Sequence, residues 1–264
     1  DENYPKKSIP RRNTGYALDL LADSQPFGDP TEKFNFCKLI AGSEGTLFFS
    51  TAIKLNLVDA LKPFAALVCV HHNSINESLK ANLEALKFNP DSVELIDHYI
   101  LECTKENIEQ SKNRFFVEGD PQAILVVEFL RDTQEEILQL AKDMEALMRS
   151  KGLGYHFPIV FGEDTNKVWN LRKAGLGLLS NIPGDAKAVA VIEDTAVDVN
   201  DLPDFIEDFN AVLKERNLSC VHYAHAATGE LHLRPIIDLK AKDGAALFRT
   251  IATDIAHLVK KYKG

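Results

Sequence analysis

Four groups of residues have types and spacing suited to chemistry. In the run His225-Ala226-Ala227-Thr228-Gly229-Glu230-Leu231-His232, a turn over 226–230 would send two imidazoles from neighbouring strands toward one place. Glu230 lies near enough to add a carboxylate. Two histidines and an acid suit a divalent metal or a proton-transfer site, although an ordinary pair of polar strand histidines has the same spacing. His222 has the opposite strand parity to His225 and is expected to face the other way. Upstream, Gly42-Ser43-Glu44-Gly45-Thr46 offers backbone N–H groups that a ligand can approach closely, with hydroxyls beside them. It lacks the Walker and G-x-G-x-x-G spacings, and a plain turn between strands is the simpler local reading. Arg172 carries a guanidinium that matches both oxygens of a substrate carboxylate, where the alternative is a solvated helix arginine. Lys187 opens an apolar strand, a place where lysines usually snorkel to solvent.

The elements that must position these groups follow from periodicity. Residues 1–35 are polar and turn-rich, and Phe36–Leu57 reads as strand, tight Gly turn, strand, with Thr51, Ile53, Leu55 and Leu57 alternating. From about residue 63 a strand–helix rhythm begins. Ala65–Val70 is a strand, Ser74 and Glu77 form a capping box before a helix, and Val93–Ile96 is a short strand. Ile100–Gln110 reads as a helix, Ala123–Phe129 as a strand, the segment capped by Thr133 as a helix, and Tyr155–Phe161 as a strand. After a helical connection over Glu163–Leu179 the pattern restarts. Lys187–Ile192 is a strand, Leu202–Val212 a helix, Ser219–His225 and Leu231–Ile236 are strands, and a last helix ends at Lys260-Lys261. Two blocks of similar element order suit an α+β fold, with two related β-α-β-containing ferredoxin-like layers sharing a largely antiparallel sheet.

Composition sets the class. Of 264 residues 45% are hydrophobic and 26% charged, with 39 acids against 30 bases and a net charge of −9. That apolar content can bury a core, whereas an acidic chain without a basic block is a poor nucleic-acid binder. No apolar stretch reaches the roughly 18–20 residues that span a bilayer. The four cysteines form no Cys-x-x-Cys pair, so neither a zinc ribbon nor an iron–sulfur site is expected within the chain, and Cys69 and Cys220 read as buried thiols. The opening DENYPKKSIPRRN has no apolar core of a signal peptide, which makes the cytoplasm the expected location.

In this order, RRNTGYALDLL (11–21), LIAGSEGTLFFSTAIKL (39–55), VWNLRKAGLGLL (168–179), KAVAVIEDTAVDVNDLPDFI (187–206) and YAHAATGELHLRP (223–235) resemble the C-terminal part of FAD-linked oxidases and dehydrogenases. The type is that of D-lactate dehydrogenase, glycolate oxidase and D-2-hydroxyglutarate dehydrogenase. The H-A-x-x-G-x-L-H-x-R-P form is similar to large bacterial members in which an iron–sulfur segment follows the flavoprotein part. The sequence departs from the pattern at Phe48, Leu176, Ala227, Thr228 and Glu230, where glycine, threonine, a Gly-Asp pair and asparagine are usual.

The resemblance implies a partition: residues 1–58 as the last piece of a PCMH-type FAD-binding domain, and 59–264 as a substrate-covering cap domain. It also implies a longer natural protein, since the pyrophosphate loop and a later acid–His pair fall outside these residues. The implied activity is FAD-dependent oxidation of a D-2-hydroxy acid to the 2-oxo acid, with the fragment alone expected to be inactive and to hold no FAD. Gly42, Ser43, Glu44, Gly45 and Thr46 would contact the flavin, Arg172 and Lys187 the substrate carboxylate, and His225 and His232 would serve as catalytic or, with Glu230, metal-binding residues. Electrons would pass to a quinone or an iron–sulfur carrier, and the protein could lie peripherally at the inner membrane. The competing readings are a ferredoxin-like small-anion binding module without redox chemistry and a histidine-based metallohydrolase.

Overall fold

The computed structural model describes residues 3–12, 15–105 and 107–264, with the Leu176 side chain left aside. Positions 13 and 14 of the 11–21 motif, and the departure at Leu176, therefore lie outside what is described.

Before residue 63 the regular elements are two single-turn helices, α1 (Leu18–Ala22) and α2 (Cys37–Ile40). The expected strand–turn–strand over 36–57 is not formed: α2 replaces its first half, and residues 47–62 carry neither helix nor strand. Alternation of apolar residues makes a strand only where a ladder partner accepts its backbone groups. Here Ile53, Leu55 and Leu57 stand 73–96% exposed with no such partner among the described residues.

From residue 64 the rhythm is close to expectation. The first unit comprises β1 (Phe64–His72), α3 (Ile75–Ala85), β2 (Ser92–Asp97), α4 (His98–Lys105), β3 (Ala123–Arg131), α5 (Gln134–Ser150) and β4 (Ile159–Phe161). The connecting helix is α6 (Asp164–Leu178). The second unit comprises β5 (Lys187–Ala188), β6 (Ile192–Ala196), α7 (Leu202–Lys214), β7 (Cys220–His225), β8 (Glu230–Ile237) and α8 (Gly244–Lys261). Helix starts follow the hydroxyl signals: Ser74 Oγ accepts from Glu77 N–H at 3.1 Å and Thr133 Oγ1 from Glu136 N–H at 3.2 Å. Three elements are shorter than their patterns. The helix expected over 100–110 stops at Lys105. The strand at 155–161 is continuous only over Ile159–Phe161, since Pro158 has no N–H to give, although an isolated bridge from His156 to His71 extends the pairing upstream. The strand at 187–192 is split in two, with a register shift between Ile192 and Thr195.

The strands form one antiparallel sheet of order β4-β1-β3-β2-β7-β8-β5, with β6 also on β8. The first unit has the order 4-1-3-2 of a ferredoxin-like layer. In the second, β6-β8-β7 repeats the 1-3-2 part. The two layers join where β2 pairs antiparallel with β7, so the fold is α+β. Helices α3, α5, α7 and α8 cover one face over a core that includes Val68, Leu95, Phe129, Phe205, Leu233 and Ile255. Helices α4 and α6 cover the other face over the first unit and as far as β7, above Leu67, Ile96, Val126 and Val221. The central strands therefore read as continuous apolar runs, while β8 alternates buried Leu231 and Leu233 with His232 and Arg234 on the less covered side. No helix is long and apolar enough to cross a membrane among the described residues.

Candidate functional site

The polar side of β7–β8 gathers the histidines. Register pairs Tyr223 with His232 and His225 with Glu230, which puts all four side chains on one sheet face. The turn is a single 3₁₀ turn, Ala226–Thr228, closed by Gly229 at φ 71°. A Cβ at Gly229 would meet the Val197 carbonyl oxygen at 2.1 Å, so only glycine fits. The His225 and His232 rings lie 5.2 Å apart between centroids at 75°. His222 faces the opposite side: its Nε2 donates to Asn210 Oδ1 at 3.0 Å, and burial lowers its pKa to about 4.

Carboxylates that the sequence reading missed hold both imidazoles. Glu94 on β2, directly across from His225, accepts from His225 Nδ1 through Oε1 at 2.8 Å and takes Arg172 Nη2 on Oε2. Arg172 reaches the site from α6. Its Nη1 donates to the Tyr223 hydroxyl at 3.1 Å, its guanidinium stacks 4.4 Å from the Tyr223 ring centroid, and its buried Nε has no partner among the described residues. The hydrogen bond to Glu94 raises the pKa of His225 above its usual value, against the opposing pull of burial and of Arg172. His232 Nδ1 donates to Glu193 Oε2 at 2.8 Å with Asp194 Oδ1 at 3.1 Å, and Glu193 in turn meets Arg234 Nη2 at 2.6 Å. The signal for Glu94 was a lone acid inside the apolar strand run Val93–Ile96. The signal for Tyr223 was its two-residue spacing from His225.

Two expected partners are elsewhere. Lys187 Nζ donates to the backbone carbonyls of Ser180 and Ile182 and does not join Arg172. Glu230 turns to Arg11 Nε at 3.3 Å. The expected metal set of His225, His232 and Glu230 is thus not gathered. The acids beside His232 are Glu193 and Asp194, with ligand atoms all within 4.8 Å of one another.

The 42–46 turn is more tightly bonded internally than its composition suggested. Ser43 is buried with its hydroxyl donated to Ile40 O at 2.9 Å, so it has no proton left for a ligand. Thr46 Oγ1 donates to Ser43 O at 2.6 Å and accepts from the Tyr16 hydroxyl at 2.7 Å. Glu44 and Gly45 take consecutive left-handed conformations (φ 49° and 74°), and the space a Gly45 side chain would fill is open. Glu44, Arg11, Arg12, Asp194 and Glu230 line a single cleft of about 1170 Å³, which connects this turn to the edge of the histidine hairpin.

The family model for FAD linked oxidases, C-terminal domain, matches residues 62–264. The chain is 30% identical to a D-2-hydroxyglutarate dehydrogenase of Haemophilus influenzae, over 98% of this chain and 26% of that protein. To the D-2-hydroxyglutarate dehydrogenase of Escherichia coli it is 30% identical over 100% of this chain and 26% of that protein. Glycolate oxidase subunit GlcD of Bacillus subtilis is 21% identical, over 85% of this chain and 46% of that protein. The chain spans about a quarter of the length of the two dehydrogenases.

Proposed function

The chain belongs to the C-terminal-domain family of FAD linked oxidases, and from that premise we propose that it serves in a FAD-dependent oxidoreductase converting a D-2-hydroxy acid to the 2-oxo acid. The observation that carries this reading is the joint placement of a cation and two carboxylate-held imidazoles on one sheet face, whose neighbours Glu230 and Asp194 line a cleft that Glu44 of the 42–46 turn lines from its other side. Oxidising such a substrate requires a charge for its carboxylate and, a few ångströms away, an acceptor for its hydroxyl proton.

The residues fit those tasks. Open space before Gly45 and the exposure of Gly42, Glu44, Gly45 and Thr46 suit the edge of a flat cofactor ring. FAD, when bound, supplies the hydride acceptor. Among the described residues Arg172 Nη1 donates only to the Tyr223 hydroxyl, so it is the arm that a substrate carboxylate would take, the charged contact being the stronger one. With Nδ1–H engaged by Glu94, His225 presents Nε2 to take the hydroxyl proton. His232, fixed by Glu193 and Asp194, lies beside it to share substrate contacts. Residues 1–58 would belong with the flavin-binding part and 59–264 form the cap. Electrons would leave to a quinone or an iron–sulfur carrier.

The test uses the flavin-loaded full-length protein and a series of D-2-hydroxy acids, with flavin bleaching as readout. His225→Ala is expected to abolish reduction, and Arg172→Ala to raise KM at least tenfold with a smaller change in kcat. A flavin that dithionite reduces but no D-2-hydroxy acid does would overturn the reading.

A further inference from the structure

A carboxylate in the middle of a sheet is costly unless every oxygen finds a donor. Glu94 occupies such a place. It lies between Val126 of β3 and His225 of β7, on a face otherwise filled by Leu67, Ile96 and Val126. Its side chain is 13% exposed. Its two oxygens are divided: Oε2 goes to Arg172, a group that can only donate, and Oε1 goes to His225 Nδ1. Among the described residues, the side chains bonded to it are thus two members of the candidate site.

We infer that Glu94 is the positioning residue of this site, locking the His225 ring in the tautomer that carries its proton on Nδ1 and leaves Nε2 free to accept. The inference rests on the proposed oxidation for its catalytic meaning, but the ring state itself is a property of this chain. The logic is that of an acceptor behind a base: a partner that can only accept obliges Nδ1 to be the donor. The other groups facing the ring are Arg172 from α6, Tyr223 from the same strand, and Glu230 and His232 from β8. None of them is bonded to Nδ1.

Arg172 makes the substitution Glu94→Gln unusually informative. A glutamine has one acceptor and one donor end, and Arg172 can only donate, so the amide oxygen must turn to Arg172. The amide NH₂ then faces His225 Nδ1, which must become an acceptor, and the proton moves to Nε2. Shape and burial are kept while the tautomer is inverted. A merely structural role for Glu94 would not produce that inversion.

The experiment is ¹⁵N spectroscopy of the histidine-labelled 264-residue chain at alkaline pH, where the rings are neutral. Wild type is expected to show His225 protonated on Nδ1, Glu94→Gln on Nε2, and Glu94→Asp, which keeps an acceptor-only partner, on Nδ1. His232, held by Glu193 instead, should keep its state in all three and so reports that the fold is intact. In the flavin-loaded full-length protein Glu94→Gln should lower kcat by about 10³–10⁴-fold with KM within a few-fold, the scale seen when a base is held in the wrong tautomer, and Glu94→Asp should recover most of it. A His225 ring protonated on Nε2 in wild type, or unchanged by Glu94→Gln, overturns the assignment. A wild-type enzyme that oxidises no hydroxy acid overturns the proposed reaction instead, with the ring state still read directly.

Discussion

Asp97 shows how one enclosed carboxylate ties the two layers together. Its Oδ2 accepts from His222 N–H of β7 at 2.6 Å and its Oδ1 from Ile100 N–H in the first turn of α4 at 3.1 Å. Burial outweighs these donors and pushes its pKa up to about 7. An unfolded aspartate titrates near 4, so between about pH 4 and 7 the folded chain holds a proton that the unfolded chain has lost. Stability from this group is therefore largest at the acid end and falls as pH rises through that window. Asp97→Asn cannot titrate and keeps only one acceptor. In urea titrations it should be clearly less stable than wild type at pH 5, and the gap should narrow by a few kcal/mol toward pH 7.5; a constant gap would show that Asp97 is ionised throughout. The same contrast explains what was legible at this scale. His225 and His232 could be singled out because their spacing implied one face of a hairpin, whereas Arg172 stood out only through the family resemblance. The roles of Glu94, Glu193 and Asp97 could not be read, because what an acid holds is known only once partners distant in the chain, such as His225, His232 and His222, are placed beside it.

Among elements, the β7–β8 hairpin depends on Gly229 for two separable reasons. Its φ of 71° is left-handed, and a Cβ would strike the Val197 carbonyl where the chain leaves β6. Gly152, at φ 68° after α5, has the same backbone conformation with open space around it. Gly152→Ala should cost about 1–2 kcal/mol from conformation alone. Gly229→Ala should cost several kcal/mol, in the range reserved for backbone collisions, and should also displace β6 with Glu193 and hence His232. Urea midpoints by circular dichroism give the difference, and equal losses would mean that Val197 yields freely. Helix starts at Ser74 and Thr133 and the core strands were legible because capping and burial are local or periodic signals. The 36–57 segment was not, since its alternation describes a strand only in the company of a partner ladder. The irregularity inside β6 was hidden for a similar reason: Asp194 at φ 56° shifts the register between Ile192 and Thr195 in a run whose composition gives no sign of it.

For the whole molecule, the order 4-1-3-2 meeting a second 1-3-2 layer through β2 and β7 makes residues 64–264 one continuous sheet with a shared core face. The sequence implied this repeat of element order, though not which strands would join the halves; that seam is what brings Glu94 to His225. The earlier residues attach differently. Ile9 is buried, Lys6 N–H donates to Lys263 O at 2.9 Å, and Arg11 meets Glu230, so residues 3–12 dock on the end of α8 and the hairpin. Between this dock and β1, residues 47–62 are exposed throughout, and none of their backbone groups has a hydrogen-bond partner among the described residues. A protease needs about that: an accessible stretch whose backbone can enter its cleft without unfolding anything else. Brief trypsin treatment should therefore cut first at Lys54, whereas Lys62 is followed by Pro63 and so presents a bond that trypsin does not hydrolyse. The body from β1 onward should persist. Because Ile9 and its neighbours stay docked, the released N-terminal piece should co-elute with the body on gel filtration and separate only in denaturant. Intact-mass analysis of the first products decides the matter: early cuts at Lys112 or Lys151, inside the sheet-bearing unit, would show that the 47–62 segment is covered and that the boundary near residue 58 is not a division in the folded chain.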